Sequence, residues 1–567
     1  MIAAMKKYLL ISGCIAGAVL MADAAENQAY RQQLEKLKQR PRPVIYNNDG
    51  CDAYVFPEKV KFSIEAFLAR RFLPLAGTDI TTISYNTLSS SFGQFTHPTK
   101  FGEFLTGPLG RPNARNAVPD FVALGLDPLA VAIDYAGKNH LELFWSDRVN
   151  DCHDVVHRPE KPFPRWSTFK AAHPEYLFDE IGKKMPHGRW SAVDFSYTEV
   201  RRKQVEFCTE VAENYRVSGI ELDFFRHCYL FRTVGNGASA TDAQRGDLTG
   251  MMQNIRAGID RIGERKQQPM LLSIRVPDSV EFCRGVGIDL EHWLRSGLID
   301  ILIGSDYFQL NDWSYLVRLG RRYGVKVYAS ISDTRVVNEH PLLRRGGQMV
   351  FRARAAAAWQ AGVDGLYIFN EFGFNSPHIG YLKEIGNAAK LAKLNKLYFV
   401  TYCNGNPDMY LKDGRKHRTL DVVTPVNLAP LTKRLTGVKI HLGDEIRPQA
   451  AYLYCQLKQC RPEQLEVSLN GRPLSYANTS SGVAAWALPS GSWKPGENLL
   501  QFRLKDSNHG KNESPALREI AMLFCYDPAA PDVAPLLAVA AGKTLPEVVN
   551  EKTSSEVKKE QINHEKQ

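Results

Sequence analysis

Gly219-Ile220-Glu221-Leu222-Asp223-Phe224-Phe225-Arg226 sets two carboxylates two positions apart in an otherwise apolar run. On a β-strand, residues i and i+2 share a face. Glu221 and Asp223 therefore point one way, and Leu222 and Phe224 point the other. A carboxylate on the inward face of an apolar strand is costly unless it is paired or hydrated. At the end of such a strand it becomes a candidate for acid–base or nucleophilic work, given a second acid on a neighbouring element. Gly304-Ser305-Asp306-Tyr307 and Phe369-Asn370-Glu371-Phe372 each end an apolar run in acid. Asp223, Glu371 and Asp306 are the candidate catalytic residues. Asp151 and Glu221 are further candidates for the second carboxylate, Glu221 the weakest because it lies one layer deeper. The competing reading of Glu221 and Asp223 is a structural ion pair.

Other polar groups crowd the same strand ends. Arg148-Val149-Asn150-Asp151-Cys152-His153-Asp154 follows a third apolar run and supplies Arg148, Asn150, Asp151, His153 and Asp154 as candidate substrate-binding residues. Ser273-Ile274-Arg275 puts Arg275 on one face with Ser273, a candidate partner for Glu221 or Asp223 because a guanidinium favours a charged carboxylate. Arg226, Tyr307, Asn370 and Glu221 complete the polar set. Trp166 lies in a polar loop rich in proline, as Trp190 does, and offers a ring face on which a sugar could stack. Asp151, His153 and Asp154 are acceptable metal ligands, but no HExxH-type spacing supports a metal, and no metal or cofactor is expected. No GxSxG elbow is present, which disfavours acyl transfer.

These groups need a scaffold that gathers strand ends at one mouth. Strand-like and helix-like segments alternate from Pro43 to about residue 395. The candidate strands are Val44 to Tyr46, Thr81 to Tyr85, Leu141 to Trp145, Gly219 to Phe224, Met270 to Val276, Ile301 to Gly304, Val325 to Ser330 and Gly365 to Phe369. Eight strands with intervening helices predict an α/β fold, a (β/α)8 TIM barrel over 43–395 with its site at the C-terminal mouth. The runner-up, a doubly wound sheet, calls for a glycine-rich phosphate loop after the first strand, and Asn47-Asn48-Asp49-Gly50-Cys51 is not one. After about residue 396 long helices give way to short strands, with Asn470-Gly471 as a hairpin turn. This predicts a C-terminal antiparallel β-sandwich domain over 396–528. Residues 25–42 read as a linker or short helix, and 529–567 as a disordered tail.

Lys6 and Lys7, then an apolar stretch from Tyr8 to Met21, then Ala22-Asp23-Ala24, have the form of a cleaved export signal over 1–24. The expected location is periplasmic or extracellular. A lipoprotein signal acylated at Cys14 is the alternative. The chain of 567 residues is long enough for two cores. Its formal charge of +10 is spread out rather than blocked, which argues against nucleic-acid binding and leaves acidic glycans as partners. Ten cysteines, Cys14 and nine beyond it, show no CxxC spacing, so neither a zinc site nor a disulfide framework is indicated. Cys455 and Cys460 are near enough in sequence to pair.

Together the Arg148–Asp154 motif, Phe163-Pro164-Arg165-Trp166-Ser167-Thr168-Phe169 with His173-Pro174-Glu175-Tyr176-Leu177, and Asp194 to Arg201 ahead of Gly219 to Arg226 resemble secreted bacterial family 10-like glycosylhydrolases. That resemblance spans most of residues 43–395. It implies a TIM-barrel, carbohydrate-active enzyme of the cell envelope or secretome, with Asp223 at the acidic strand-four position. The expected function is an exported glycoside hydrolase acting on a polysaccharide or oligosaccharide through paired carboxylates, with no membrane insertion once the signal is cleaved. The alternative is a non-catalytic carbohydrate-binding envelope protein on the same scaffold.

Overall fold

The computed structural model describes residues 28–88, 90–109, 112–332, 338–372, 374, 377–443, 446–505 and 514–543. The expected export signal, with Cys14 and Ala22 to Ala24, lies outside them, as does most of the expected tail. Eight parallel strands close into a barrel: β1 (Val44–Asn48), β2 (Ile80–Asn86), β3 (Glu142–Asp147), β4 (Gly219–Asp223), β5 (Leu271–Val276), β6 (Ile301–Gly304), β7 (Lys326–Ile331) and β8 (Gly365–Phe369). Each pairs with its sequence neighbours, and β1 closes on β8. All eight contain a candidate strand or overlap one.

The surrounding helices include α1 (Pro128–Lys138), α2 (Thr198–Asn214), α3 (Asp242–Lys266), α4 (Trp313–Tyr323) and α5 (Gln348–Ala361). Their ends are written in the sequence. Thr241 and Gln244 form a reciprocal capping box at the start of α3, and Asp312 caps α4 by accepting from the Ser314 amide. Gly324, at φ 69°, ends α4 in the left-handed conformation that glycine adopts without strain.

The register fixes which side chains share the barrel axis. Ser146, Glu221 and Ser273 are opposite one another, as are Asp223 and Arg275, Ser330 and Tyr367, and Asn47 and Ser84. With the stagger of about eight residues per circuit usual for such barrels, inward residues stack in layers drawn from alternate strands. Ile45, Phe144, Ser273 and Tyr328 form one layer. Ser84, Glu221, Ile303 and Tyr367 lie above it, then Asn47, Ser146, Arg275 and Ser330. Asn86, Asp223, Ser305 and Phe369 open onto the mouth. At the opposite end Glu142 accepts from Arg42 Nε (2.6 Å) and Nη2 (2.8 Å), a buried pair that plugs the barrel.

The second part of the chain is two packed antiparallel sheets, formed by β9 (Lys396–Phe399), β10 (Thr436–Leu442), β11 (Ala450–Lys458), β12 (Leu465–Leu469), β13 (Ser475–Ser480), β14 (Val483–Ala487), β15 (Gly496–Leu504) and β16 (Ala516–Cys525). One sheet runs β9-β16-β11-β14-β13, and the other holds β10-β15-β12. Ile440, Leu453, Leu469, Trp486, Phe502 and Met522 meet between them. Asn470 and Gly471, both at positive φ, make the expected hairpin turn.

Barrel and sandwich each bury an apolar cluster of their own, and α5 bridges them: Ala353 packs into the sandwich, and Met349 and Val350 pack with Leu397, Ala521 and Leu523 on the sheet's other face. The expected tail is corrected only where it is described, at residues 529–543, which hold a helix. Helix α6 (Ala534–Ala540) buries Leu536 and Val539 with its flanking Val533, because those apolar side chains cover the outer face of β14 and β16. At the other end, residues 28–39 are helical and bury Tyr30. Cys455 and Cys460 are both free thiols. Among the described residues no helix is long and apolar enough to cross a membrane.

Candidate functional site

Asp223, the last residue of β4, lies at the mouth and is 1% exposed. Its Oδ1 accepts the backbone N–H of Phe225 (3.0 Å) and Arg226 (2.9 Å) and Nε of Arg275 (2.9 Å). Its Oδ2 accepts Arg275 Nη2 at 2.8 Å. One oxygen is thus fully engaged and the other is held by a single donor. A carboxylate fixed this way is placed to act as an anion, attacking or stabilising positive charge, rather than as a proton donor.

Arg275 is shared. Its Nη1 lies 3.5 Å from Asp306 Oδ2, and its guanidinium packs over the Phe369 ring at 3.9 Å. Burial lowers the Arg275 pKa, but Asp223, Tyr307 and Asp306 outweigh it and the result is upward. Ser305 and Asp306 follow β6 at φ 69° and 140°, backbone that non-glycine residues rarely adopt. Such strain persists only where the surroundings impose it. Glu371 follows β8, past Asn370 at φ 52°; its Oε2 accepts from the Tyr381 hydroxyl at 2.8 Å.

The Arg148–Asp154 loop divides by destination. Arg148 donates to Asn370 Oδ1 at 3.0 Å, and its Nη1 is 3.6 Å from Asp151 Oδ2. Asp151 accepts from the His153 amide at 2.9 Å and bonds its ring Nδ1. Arg226 donates Nη2 to His153 Nε2 (2.7 Å) and Nη1 to the Tyr307 hydroxyl, which leaves the imidazole proton on Nδ1. Burial pushes the Asp151 pKa up, but His153, His227 and Arg226 hold it well below the usual carboxylate range. Burial lowers His153, Asp151 opposes this, and Arg226 adds to the depression. At 28% side-chain exposure, His153 is more open to solvent than Asp151, Arg148 or Arg226.

Three expected substrate ligands are corrected. Asp154 pairs with Lys170 at 2.5 Å, both side chains fully buried, so it stabilises the loop and does not converge with Asp151 and His153 on a metal. Asn150 is consumed by backbone: its Nδ2 donates to Val193 O (2.8 Å) and Tyr229 O, and its Oδ1 accepts from the Val193 amide. Glu221 lies in the interior layer, taking the hydroxyls of Ser146 (2.8 Å) and Tyr367 (2.7 Å). Trp190 is also buried, donating to Val155 O. Trp166 remains partly exposed, stacked on His157 at 4.2 Å.

Two features of the mouth escaped the sequence reading. Asp49, just past β1, pairs with Arg71, whose guanidinium covers the Phe372 ring at 4.3 Å. It could have been found by the rule that found Asp223, since it too follows an apolar strand. The second is a strap, residues 400–420, that leaves the sandwich and braces the loop after β6. Gly405 N donates to Tyr307 O (2.8 Å), Thr419 N to Leu310 O (2.8 Å) and Arg418 Nε to Gln309 O (3.2 Å). Tyr410 stacks on Tyr229 of the loop after β4 at 5.0 Å.

No family model matches the chain, and no curated protein matches its sequence. Solved structures do resemble it. An α-L-fucosidase isoenzyme 2 from Paenibacillus thiaminolyticus aligns at 13% identity over 65% of this chain and 55% of that one, with a TM-score of 0.39. The match thus spans little more than half of the fucosidase. The glycoside hydrolase domain of PgaB from Bordetella bronchiseptica aligns at 9% identity over 61% of this chain and 99% of that domain, TM-score 0.40. A glycoside hydrolase family 18 N-acetylglucosaminidase from Paenibacillus barengoltzii aligns at 14% over 61% and 98%, TM-score 0.33.

Proposed function

We propose that the protein is an exported glycoside hydrolase that cleaves a polysaccharide or oligosaccharide at the barrel mouth, in the periplasm or outside the cell. The observation that carries this reading is the hold on Asp223, four N–H donors fixing a carboxylate at the end of β4 with Oδ2 the less engaged oxygen. Asp223 takes the anionic role, as nucleophile or as stabiliser of an oxocarbenium-like transition state. Glu371, from the end of β8, is the acid–base partner, with Asp306 as the alternative. Arg148, Arg226, His153 and Tyr307 form the polar wall that takes sugar hydroxyls, and Trp166 offers a ring face. The leader over 1–24 and the motif resemblance support the location and the family 10-like assignment.

One observation favours the non-catalytic reading: Asp223 and Asp306 are both ion-paired to Arg275 and almost wholly buried. Reducing-end release from a panel of bacterial, algal and plant glycans, measured with wild type and Asp223→Asn, separates the two. Release by wild type that the variant loses supports the hydrolase. Saturable binding without release by either protein establishes the binding protein.

A further inference from the structure

Beneath Asp223 the barrel carries more polar atoms than it pairs. Glu221 Oε2, Ser84 Oγ, Ser273 Oγ, Ser330 Oγ and Asn47 Oδ1 are all buried and make no hydrogen bond to any described residue. They come from five different strands, all on inward-facing positions, and occupy three consecutive layers around one axis. A single orphaned hydroxyl is commonplace, but five facing a shared axis describe a site. Buried polar groups left without protein partners are characteristically satisfied by ordered water, each molecule making about three bonds. The alternative occupant, a cation held by the carboxylate and the neutral oxygens, is opposed by the Arg275 guanidinium in the same layer as Asn47 and Ser330.

We propose that these five groups bind a cluster of internal waters on the barrel axis, and that Glu221 exchanges its proton with the mouth through that cluster. The transfer is a relay. The Glu221 O–H bond breaks with its electron pair left on the carboxylate, a water of the proposed cluster takes the proton, and the water nearest the mouth releases one. The charged groups facing Glu221 are Asp223 above it on β4 and Arg275 on β5. Tyr367 on β8, Ser146 on β3 and Ser84 on β2 are its neutral neighbours, and the Arg42–Glu142 pair lies lower on the axis. Burial and then Asp223 raise the Glu221 pKa to about 6, against the hydroxyls of Tyr367 and Ser146, so both protonation states are accessible near neutral pH. The inference stands whether or not the protein hydrolyses sugars, because none of its tests needs a substrate.

Two measurements on the full chain decide it. A crystal structure at atomic resolution is expected to show at least one ordered water bonded to two or more of the five atoms; a dry axis, with the serine hydroxyls turned to strand carbonyls, would overturn the site. Infrared titration in D2O is expected to show a carboxyl stretch with a midpoint near 6 that vanishes in Glu221→Gln. In Ser273→Ala/Ser330→Ala, which removes two water ligands, the midpoint should rise by at least about one pH unit, because a drier carboxyl ionises less readily. An unchanged midpoint, or no band lost in Glu221→Gln, would refute the proton exchange. If the double variant melts well below wild type, Ser330→Ala alone gives the same comparison with one smaller deletion.

Discussion

Asp223 and Arg275 are opposite residues of adjacent strands, and the guanidinium closes on both carboxylate oxygens, Nε to Oδ1 at 2.9 Å and Nη2 to Oδ2 at 2.8 Å. The pair is at once a buried ion pair and the centre of the mouth, so the catalytic and structural readings of Asp223 are not exclusive. With the Arg275 side chain fully buried, Asp223 bears on the stability of the core as well as on the chemistry of the mouth.

Asp223→Asn is expected to lower kcat by at least about a hundredfold and also to destabilise. Breaking a buried pair costs about 3–5 kcal/mol when one charge is left behind. Adding Arg275→Met should recover much of the melting temperature and none of the turnover. Full turnover in Asp223→Asn would remove it from the mechanism. Stability recovered together with activity in the double variant would reduce the pair to a structural element.

Stability should depend on pH through carboxyls that the fold keeps neutral. Burial raises Asp147, on the outer face of β3, to about 7 despite its bond from Gln204. The native state therefore holds a proton that the unfolded chain releases near pH 4, so this stability is present at low pH and is lost as pH rises towards 7. Each pKa unit corresponds to about 1.4 kcal/mol. Asp147→Asn should raise the melting temperature at pH 7.5 and change it little at pH 4. An equal effect at both values would show that Asp147 does not titrate in this window.

Gly405→Ala tests the strap. A Cβ there would come within 2.5 Å of Tyr307 O, a backbone atom that cannot rotate away. The loop after β6 must move, at a cost of about 1–3 kcal/mol for overpacking. Faster hydrogen exchange is expected at 305–310, with weaker glycan binding or turnover because Tyr307 no longer meets Arg226. Unaltered exchange there would show that the loop holds its shape without the strap.

Arg345 donates Nη1 (3.0 Å) and Nη2 (2.5 Å) to Glu519 of β16 and Nε to Thr401 O (2.6 Å), fully buried between barrel and sandwich. Arg345→Met alone should cost about 3–5 kcal/mol, whereas Arg345→Met with Glu519→Leu should lose far less. Chemical denaturation of the three proteins measures this. Additive losses would mean that the two residues do not act as a pair.

The barrel strands were legible because buried parallel strands are short apolar runs between helical periods, and parity then aimed Asp223 and Arg275 inward. Several sandwich strands were legible too, through alternation and the Asn470-Gly471 turn. Ser475–Ser480 was not, because it is almost wholly polar. The loops were legible in chemistry but not in destination. Nothing in the spacing of Asn150, Asp151, His153 and Asp154 says that the first holds backbone and the last meets Lys170, since loop side chains have no period. The strap was hidden for a related reason: residues 400–420 grip the loop after β6 at its backbone carbonyls, which carry no residue signature.

Helix α5 completes the barrel between β7 and β8 and also supplies Met349, Val350 and Ala353 to the sandwich cores. The two parts therefore cannot be traded as cassettes. A gene truncated after residue 395 would encode a barrel with an apolar helix face laid bare, and a sandwich transplanted from residue 396 would arrive without one of its walls.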